Sequence, residues 1–176
     1  MLLFRRIFAL SLFIALGGCG FQPLYKKQQA SDAVIEDLAQ VQVLNLIDQV
    51  SYDDRLGQKI KNLLLDRLNP GGRPNNPFYV LAVTVSTART ELGLKFSDEA
   101  TRAKLSINAS YLLREKKTNA VLFRGSARSV NSYNIVQSNF ATLSAENNAK
   151  DRAAREIADD IKLRLGIFFK ELRSGT

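Results

Sequence analysis

The sequence contains no histidine and no tryptophan, and it has a single cysteine among 176 residues. Without histidine, catalysis of the Ser-His-Asp and Cys-His types is excluded, and so is any zinc site that uses imidazole. One cysteine cannot form an internal disulfide or a cysteine cluster for a metal. The composition therefore argues against the commonest hydrolases and metalloproteins, and we expect no enzymatic activity, no cofactor and no metal.

Acidic residues are outnumbered by basic ones, 17 against 25, so the net charge is +8 at pH 7. A basic chain favours an anionic partner without identifying it. No zinc finger, helix-turn-helix or aromatic RNA-binding motif accompanies the charge, so we expect no nucleic-acid partner. Hydrophobic residues make up 45% of the chain, which is normal for a globular core, and the length suggests one domain.

The N-terminal apolar run is only ten residues long, from Ile7 to Leu16. A helix that spans a bilayer needs about 20 apolar residues, so this run is too short to be one. Arg5 and Arg6 precede it and a pair of glycines follows it, which is the layout of a secretory signal. The segment is therefore either an ordinary signal peptide or short anchor with an incidental cysteine at position 19, or a lipoprotein signal.

Residues 16–19, Leu-Gly-Gly-Cys, resemble a bacterial lipobox. The resemblance implies a signal peptide over residues 1–18, cleavage before Cys19, a diacylglycerol thioether on its sulfur and often an acyl chain such as palmitate on its new amine. Two or more acyl chains hold a protein stably on a membrane. Because the next residue is Gly20 rather than Asp, we expect delivery to the outer membrane. Residues 19–31 would then form a lipidated tether, and residues 32–176 a single domain.

Hydrophobic periodicity predicts six elements in the remaining chain. Asn69-Pro70-Gly71-Gly72 ends the first helix, and a hairpin turn over residues 115–119 joins the last two strands. The apolar stripe of the long C-terminal helix includes Leu172. In chain order, the predicted elements are a strand over residues 38–47, a helix that begins near Ser51, strands over residues 78–90, 102–113 and 121–133, and a helix over residues 144–172.

Three consecutive strands with short connections favour an antiparallel meander with one solvated face. The predicted fold class is α+β. It is a two-layer sandwich in which two helices pack on one face of a four-stranded, mostly antiparallel sheet, in the order β-α-β-β-β-α. Ile161 and Leu165 lie in the middle of the C-terminal stripe, so we expect both to be core residues.

The acidic pairs at positions 53–54, 98–99 and 159–160 are candidate catalytic groups. The pair at positions 53 and 54 fits a helix start, where carboxylates cap free N–H groups. The pair at positions 159 and 160 lies inside a helix, where adjacent residues do not share a face. The pair at positions 98 and 99 lies in a loop without a histidine or a metal partner. We therefore expect none of them to be catalytic.

The basic residues are the more informative candidates. Two pairs of cations follow the polar faces of two neighbouring strands, and two further cations lie near the end of the preceding strand and its loop. Cross-strand neighbours lie about 5 Å apart, so several cations could meet one phosphate or carboxylate group. The alternative is a face that is merely solvated. The candidate anion-binding residues are Arg89, Lys95, Arg102, Lys104, Arg124 and Arg128.

Four short motifs resemble the LptE family of lipopolysaccharide-assembly lipoproteins. The motifs are Cys19-Gly20-Phe21-Gln22-Pro23-Leu24-Tyr25, Arg55-Leu56-Gly57-Gln58, Ala100-Thr101-Arg102 and Ser132-Tyr133-Asn134. The resemblance implies a non-enzymatic outer-membrane lipoprotein that plugs the LptD β-barrel translocon, supports its assembly and binds lipopolysaccharide during delivery to the outer leaflet. The family's lipid A contacts are basic residues in the loop between the second and third strands and near the start of the last helix. Lys95 or Arg102 matches the first place, and Lys150 is the nearest candidate for the second.

Two other classes of function remain open from the residues alone. A lipid-anchored periplasmic adaptor of another envelope machine would share the anchor and the sandwich but would not bind lipopolysaccharide. A lipid-anchored hydrolase is disfavoured, because the chain lacks histidine and has no nucleophile motif. Co-purification with a very large outer-membrane barrel would separate the first alternative from the LptE-like interpretation.

Overall fold

The computed structural model describes residues 29–44, 47–48, 54–94 and 100–175. The lipobox and the signal segment lie outside these residues. The predicted order of elements is confirmed, with one additional helix at the start. The elements are α1 (Gln29–Ala39), β1 (Val41–Val43), β2 (Ile47–Asp48), α2 (Asp54–Leu68), β3 (Tyr79–Leu94), β4 (Ala100–Glu115), β5 (Val121–Asn134) and α3 (Asn139–Ser174).

The sheet is four strands wide and mixed. Strands β3, β4 and β5 form the predicted antiparallel meander. Strands β1 and β2 lie one after the other along the outer edge of β3 and run parallel to it, with Val41 opposite Tyr79 and Ile47 opposite Thr84. Two short strands therefore occupy the place of the single strand predicted over residues 38–47.

Alternation along the strands gives the sheet two different faces. The odd-numbered residues of β4 point to the helices and are almost completely buried, as their pattern predicts. They are Ala103, Leu105, Ile107, Ala109, Tyr111 and Leu113. The even-numbered residues from Val80 to Leu92, from Arg102 to Arg114 and from Arg124 to Asn134 lie on the other side. We call this second side the open face, because the buried core lies wholly on the first.

Helix α2 has the amphipathic pattern of a helix that covers a sheet. Its buried residues recur every four positions, at Leu56, Ile60, Leu64 and Leu68. The helix ends where predicted, because a proline and two glycines follow Asn69. The side-chain amide of Asn69 donates a hydrogen bond of 2.9 Å to the carbonyl of Ala39, which ties the end of α1 to the end of α2.

Helix α3 is the longest element, with 36 residues. It begins five residues before the predicted start, because the hydroxyl of Ser138 accepts a hydrogen bond from the backbone N–H of Ala141 and caps the first turn. The predicted stripe is buried at Ala149, Ala153, Ile157, Ile161, Leu165 and Phe169, and Phe168 is partly buried against the same core. Leu172 is an exception, since it is about half exposed near the C-terminus. None of the described helices is both long enough and apolar enough to cross a membrane.

Helix α1 is an element that periodicity did not predict. It begins at Gln29, inside the segment predicted to be a tether. The short helix buries Leu38 and packs Val34 against the core. The guanidinium of Arg173 donates two hydrogen bonds, of 2.6 and 2.9 Å, to the carboxylate of Asp37, which fixes α1 to the end of α3.

Candidate functional site

The open face carries cations and small polar side chains. Arg102, Lys104, Arg124 and Arg128 lie on it, as the alternation predicted, and Arg114 joins them. None of its even-numbered positions holds an aspartate or a glutamate. Among the described residues, no carboxylate forms an ion pair with Lys104, Arg124 or Arg128. Among the described residues of this face, no carboxylate competes with an anion for these cations.

The strand register separates these cations into two groups. Arg102 lies opposite Asn134, Lys104 opposite Ser132, and Arg128 opposite Asn108. Arg128 therefore lies four residue steps along the sheet from Lys104, which is about 13 Å. The expectation that cations on neighbouring strands lie side by side is therefore wrong. The site consists of an upper pair, Arg102 and Lys104, and a lower group toward the β4–β5 hairpin, which contains Arg114, Arg124 and Arg128.

Arg89 does not belong to the open face. Its odd position on β3 places it opposite Leu105, on the side that the helices cover. Its guanidinium carbon lies 6.0 Å from the ring centroid of Tyr133, and it forms an ion pair of 3.0 Å with Glu91. Lys95, the other candidate near this strand end, lies outside the described residues.

A polar network links the first half of α3 to β5. The hydroxyl of Tyr133 donates a hydrogen bond of 3.0 Å to Glu146, and Lys150 forms an ion pair of 3.0 Å with the same carboxylate. Partial burial acts to raise the pKa of Glu146, but the hydrogen bonds from Lys150 and Tyr133 outweigh it and hold that pKa below its usual value. Lys150, the candidate lipid A contact near the start of the last helix, therefore pairs with a carboxylate of the fold itself.

A second hydrogen-bonded group lies further along the same interface. The hydroxyl of Ser129 donates to Glu156 at 2.5 Å, and the amide of Asn131 donates to Ser129 at 2.8 Å. Arg152 donates to Asn131 at 3.2 Å. Sequence reasoning missed these ties. The sequence offered one indication of them. The apolar stripe of α3 has only alanines at positions 149 and 153, whereas larger apolar residues follow in the second half of the helix.

Exposed apolar side chains lie near the end of the sheet that holds the upper pair. At this upper end, β3 finishes, β4 begins and β5 leads into α3. Leu92, Val136 and Leu143 are partly exposed there, and Phe140 is 83% exposed. The hydroxyl of Thr142 accepts a hydrogen bond of 3.0 Å from the N–H of Val136 and donates one of 3.1 Å to its carbonyl, which fixes the connection. The upper end thus combines positive charge with exposed apolar surface.

The adjacent carboxylates in α3 have structural partners. The guanidinium of Arg67 donates to both oxygens of Asp159, at 2.5 and 3.1 Å, and this contact lowers the pKa of Asp159. Asp160 pairs with Arg164 at 2.9 Å. Within the described part of the chain, no group of three acidic or sulfur ligands could hold a metal ion.

The sequence matches the model of one known protein family. The model of the LptE family, described as lipopolysaccharide-assembly, matches residues 27–165. The chain belongs to the LptE family. No curated protein sequence matches it significantly. The matched range includes α2, the three long strands and most of α3, so family membership rests on nearly the whole domain.

Solved structures share the LptE-like fold at low sequence identity. A Caulobacter crescentus protein assigned as a lipoprotein is 20% identical, with a TM-score of 0.62; the alignment covers 79% of this chain and 97% of that one. The rare lipoprotein B of Shewanella oneidensis is 16% identical, with a TM-score of 0.53, and the alignment covers 75% and 99%. Lipoprotein B of Nitrosomonas europaea is 10% identical, with a TM-score of 0.51 and coverage of 74% and 87%. At these identities the likeness establishes the fold alone.

Two of the LptE-like motifs meet in the folded chain. The Ala100-Thr101-Arg102 segment opens β4, and Ser132-Tyr133-Asn134 closes β5 directly beside it. Arg102 Nε donates to the side-chain oxygen of Asn134 at 3.4 Å, and the N–H of Ile135 donates to the carbonyl of Thr101 at 3.0 Å. The motifs that resemble the family are therefore brought together at the upper end, next to the exposed apolar side chains.

Proposed function

We propose that this LptE-family protein is an outer-membrane lipoprotein that plugs an LptD-like β-barrel, supports its assembly and binds lipopolysaccharide during delivery to the outer leaflet. Acylated Cys19 anchors it, after removal of residues 1–18. The domain over residues 32–176 faces the periplasm and occupies the barrel lumen. The family match supports this role, and the chemistry of the upper end supports lipopolysaccharide as the ligand.

The observation that carries the lipid-binding proposal is the pairing of charge and apolar surface at the upper end. Arg102 and Lys104 are neighbours on one face of β4, and Leu92 lies opposite Arg102 on the adjacent strand β3. Val136 and Phe140 extend the apolar surface beyond the end of β5. A phosphorylated glycolipid needs both features, because its headgroup is anionic and its acyl chains are apolar.

A competition experiment tests the role of the upper pair. The variant Arg102→Glu, Lys104→Glu should bind lipopolysaccharide more weakly than the wild type, and dephosphorylated lipopolysaccharide should compete poorly for the wild type. The matched control is Arg155→Glu, Lys162→Glu, which makes the same change in net charge at exposed positions of α3. Equal binding by both variants, or equal competition by both lipids, would leave the upper pair as solubilising charge.

The plug role is tested by purification with the partner. Strands β3 and β4 have 16 residues each, so the domain is about 50 Å long, comparable to the thickness of a membrane with its headgroups. An elongated domain of this length suits the lumen of a large barrel. The chain should co-purify from outer membranes with a very large β-barrel protein. Recovery of a different envelope machine without a barrel would instead favour an adaptor role.

Lipidation of Cys19 has its own direct test. Mass spectrometry of the mature N-terminus should show an acylated cysteine and no residue before it. The variant Cys19→Ser should lose the acyl chains, while the unfolding midpoint of its domain stays unchanged, because the described core begins after the tether. An intact Met1, or cleavage at another residue, would contradict the anchor.

A further inference from the structure

Strand β5 is an open edge of the sheet within the described part of the chain. It is 14 residues long and has β4 as its neighbour on one side. The N–H of Ile135 donates to the carbonyl of Thr101 at 3.0 Å. Hydrogen-bonded and non-hydrogen-bonded pairs alternate along antiparallel strands, so the odd-numbered residues of β5 bond to β4. The backbone groups of its even-numbered residues therefore point outward, away from β4. These exposed residues are Arg124, Ser126, Arg128, Val130, Ser132 and Asn134.

Thr142 of α3 shows how such outward groups can be satisfied. Its hydroxyl bonds both the N–H and the carbonyl of Val136, at 3.0 and 3.1 Å, as a neighbouring strand would. Among the described residues, no backbone partner meets the outward groups from Arg124 to Asn134. Natural edges are commonly blunted by proline or by bulges, but this stretch of β5 has no proline and a regular register. About 33 Å of backbone can therefore accept another strand.

Helix α3 forms an apolar wall beside this edge. It runs antiparallel to β5, because Glu156 meets Ser129 at 2.5 Å in the middle of the strand and the ring of Phe168 stacks on a ring near its start, with centroids 5.0 Å apart. Leu163 and Ile167 follow Glu156 by seven and eleven positions, so the three side chains share one side of the helix. Leu163 is 62% exposed and Ile167 is 48% exposed. The side of α3 that reaches β5 therefore carries an exposed apolar row.

Gly125 leaves a notch in the same edge. A Cβ at this glycine would lie 2.4 Å from the hydroxyl of Tyr111, so that hydroxyl extends over the backbone of β5. Tyr111 is 2% exposed, and among the described residues its hydroxyl has no hydrogen-bond partner. A buried polar group without a partner destabilises a fold. A strand added outside β5 would place one side chain opposite Gly125, at a non-hydrogen-bonded position where side chains lie closest. A polar side chain there would give the hydroxyl its partner.

The charge along the edge indicates an acidic occupant. Arg124 and Arg128 lie on the open face, four residue steps and about 13 Å apart. Cross-strand neighbours on one face interact directly, and like charges there repel each other. Because no even-numbered position of this face holds a carboxylate, two copies of the chain joined through β5 would bring only cations together. A strand with carboxylates four positions apart would instead meet both arginines.

We propose that an extended acidic segment of the barrel partner adds to β5 as a further strand of the sheet. This inference rests on the proposed plug role, because a domain inside a lumen lies within reach of segments that fold inward from the barrel. Backbone hydrogen bonds hold the segment, and its carboxylates face Arg124 and Arg128. Its side chains on the other face contact Leu163 and Ile167. The upper pair keeps its proposed role in lipid binding, so partner and lipid use different cations of one face.

Residue-resolved hydrogen exchange tests the pairing directly. The chain is measured in the complex purified from outer membranes with its barrel, and again without the barrel. Without the barrel, the N–H groups of Ser126 and Val130 should exchange rapidly, whereas those of Ala127 and Asn131, which face β4, should exchange slowly. In the complex, the first two should slow by at least about tenfold. Unchanged rates, or equal slowing at the exposed turn residue Lys117, would show enclosure without pairing and overturn the proposal.

Proline substitution separates backbone pairing from side-chain contact. Ser126→Pro and Ser132→Pro each remove an outward N–H and no bond to β4, a change that an edge strand tolerates. In cells that express wild type and variant equally, each proline variant should be about tenfold less abundant than the wild type in barrel complexes. Ser126→Ala and Ser132→Ala keep the N–H and should compete equally with the wild type. Equal recovery of folded proline and alanine variants would overturn the proposal.

A charge variant keeps the backbone intact and tests the acidic character of the segment, including the case in which proline prevents folding. Arg124→Glu, Arg128→Glu should also lose to the wild type by about tenfold in the same competition. The matched control is Arg155→Glu, Lys162→Glu, which makes the same change in net charge at exposed positions of α3. Equal recovery of the two charge variants would overturn an acidic occupant.

Failure of the plug role and failure of the added strand are distinguishable in these samples. Recovery of the chain without any barrel overturns both. Recovery with the barrel, but with outward N–H groups of β5 that exchange as fast as without it, overturns the added strand alone and leaves the plug role intact. Slow exchange of the same groups in a dimer of this chain, without the barrel, would assign the edge to a second copy and overturn the acidic segment.

Discussion

The two sides of the sheet use their cations differently. On the helix side, Arg67, Arg164 and Arg173 each meet a carboxylate, at Asp159, Asp160 and Asp37 respectively. On the open face, Lys104, Arg124 and Arg128 meet none among the residues that the structure describes. The Arg67 and Arg173 pairs join two helices each, and the Arg164 pair lies within α3. Among the described residues, these open-face cations form no such ion pair, which leaves them able to bind an external anion.

Packing differs in the same way between the two sides. The helix side buries apolar residues from all three helices and from β1, β3, β4 and β5 in one cluster. The open face has small side chains, such as Ala82, Ser86 and Ser110, between its cations. We therefore expect substitutions on the helix side to change stability, and substitutions on the open face to change binding.

The largest effect is expected in the core that α3 shares with the sheet. Ile161→Ala and Leu165→Ala should each lower the free energy of unfolding by about 2–5 kcal/mol, because both residues are fully buried. The matched control is Leu163→Ala on the same helix, since Leu163 is 62% exposed. Denaturant unfolding measures all three. An equal loss for Leu163 and its buried neighbours would contradict the assignment of α3 faces.

Periodicity could predict which residues face the core. Apolar residues alternate strictly on β4 and recur every four positions on α2, at Leu56, Ile60 and Leu64. Both patterns result from burial on one side of the element, so they can be read from the sequence. Helix α1 gave too short a signal, because its large apolar residues are only Val34, Ile35 and Leu38, which cover little more than one turn, and Ile35 is exposed. Local pattern therefore predicted the layers but missed an element that depends on contacts with α3.

The arrangement of the site could not be predicted from the same pattern. Alternation placed Arg102 and Arg128 on one face, but their separation depends on the β4–β5 register. That register is set by the hairpin, which was predicted, and by an irregularity between Leu113 and Arg114, which the sequence does not indicate. Phe140 was missed because it lies in the first turns of α3, before the predicted start of that helix.

A smaller loss of stability is expected where the sheet has no room for a side chain. Gly125 lies opposite Tyr111, and a Cβ at this glycine would come within 2.4 Å of the tyrosine hydroxyl. Gly125→Ala should therefore cost about 1–3 kcal/mol through overpacking. In a Tyr111→Leu background the same substitution should cost much less, and a double-mutant cycle measures the difference. Additive losses would show that the tyrosine ring does not cover Gly125.

The polar link between β5 and α3 should contribute in a pH-dependent way. Burial acts to raise the pKa of Glu146, but the hydrogen bonds from Lys150 and Tyr133 lower it overall in the folded state. A carboxyl whose folded pKa is depressed stabilises the fold above its unfolded pKa, and this contribution disappears as the pH falls through the folded value. Glu146→Gln should therefore lower stability at pH 7, by about 1 kcal/mol.

The control for this link is the same pair of proteins at low pH. When the pH is below the folded pKa of Glu146, the wild type and Glu146→Gln should have the same unfolding free energy, because both side chains are then neutral. Glu91→Gln serves as a second control, since Glu91 belongs to an exposed ion pair with Arg89. A difference between the wild type and Glu146→Gln that does not depend on pH would mean that the side chain acts by packing alone.

The smallest effect on stability is expected from the cations of the open face. Lys104→Gln and Arg128→Gln should change the free energy of unfolding by less than about 0.5 kcal/mol, because neither cation pairs with a carboxylate of the described residues. Any change should be a slight gain, since each substitution removes repulsion from like charges, and this gain should fade at high salt. The comparison is Arg67→Gln on the helix side, which breaks a bidentate contact with Asp159. This substitution should lower the free energy of unfolding by up to about 1 kcal/mol.

A loss from Lys104 or Arg128 as large as that from Arg67 would mean that the open-face cations hold the fold together. The contrast between the two sides would then disappear, and with it the argument that these charges are available for an anionic lipid.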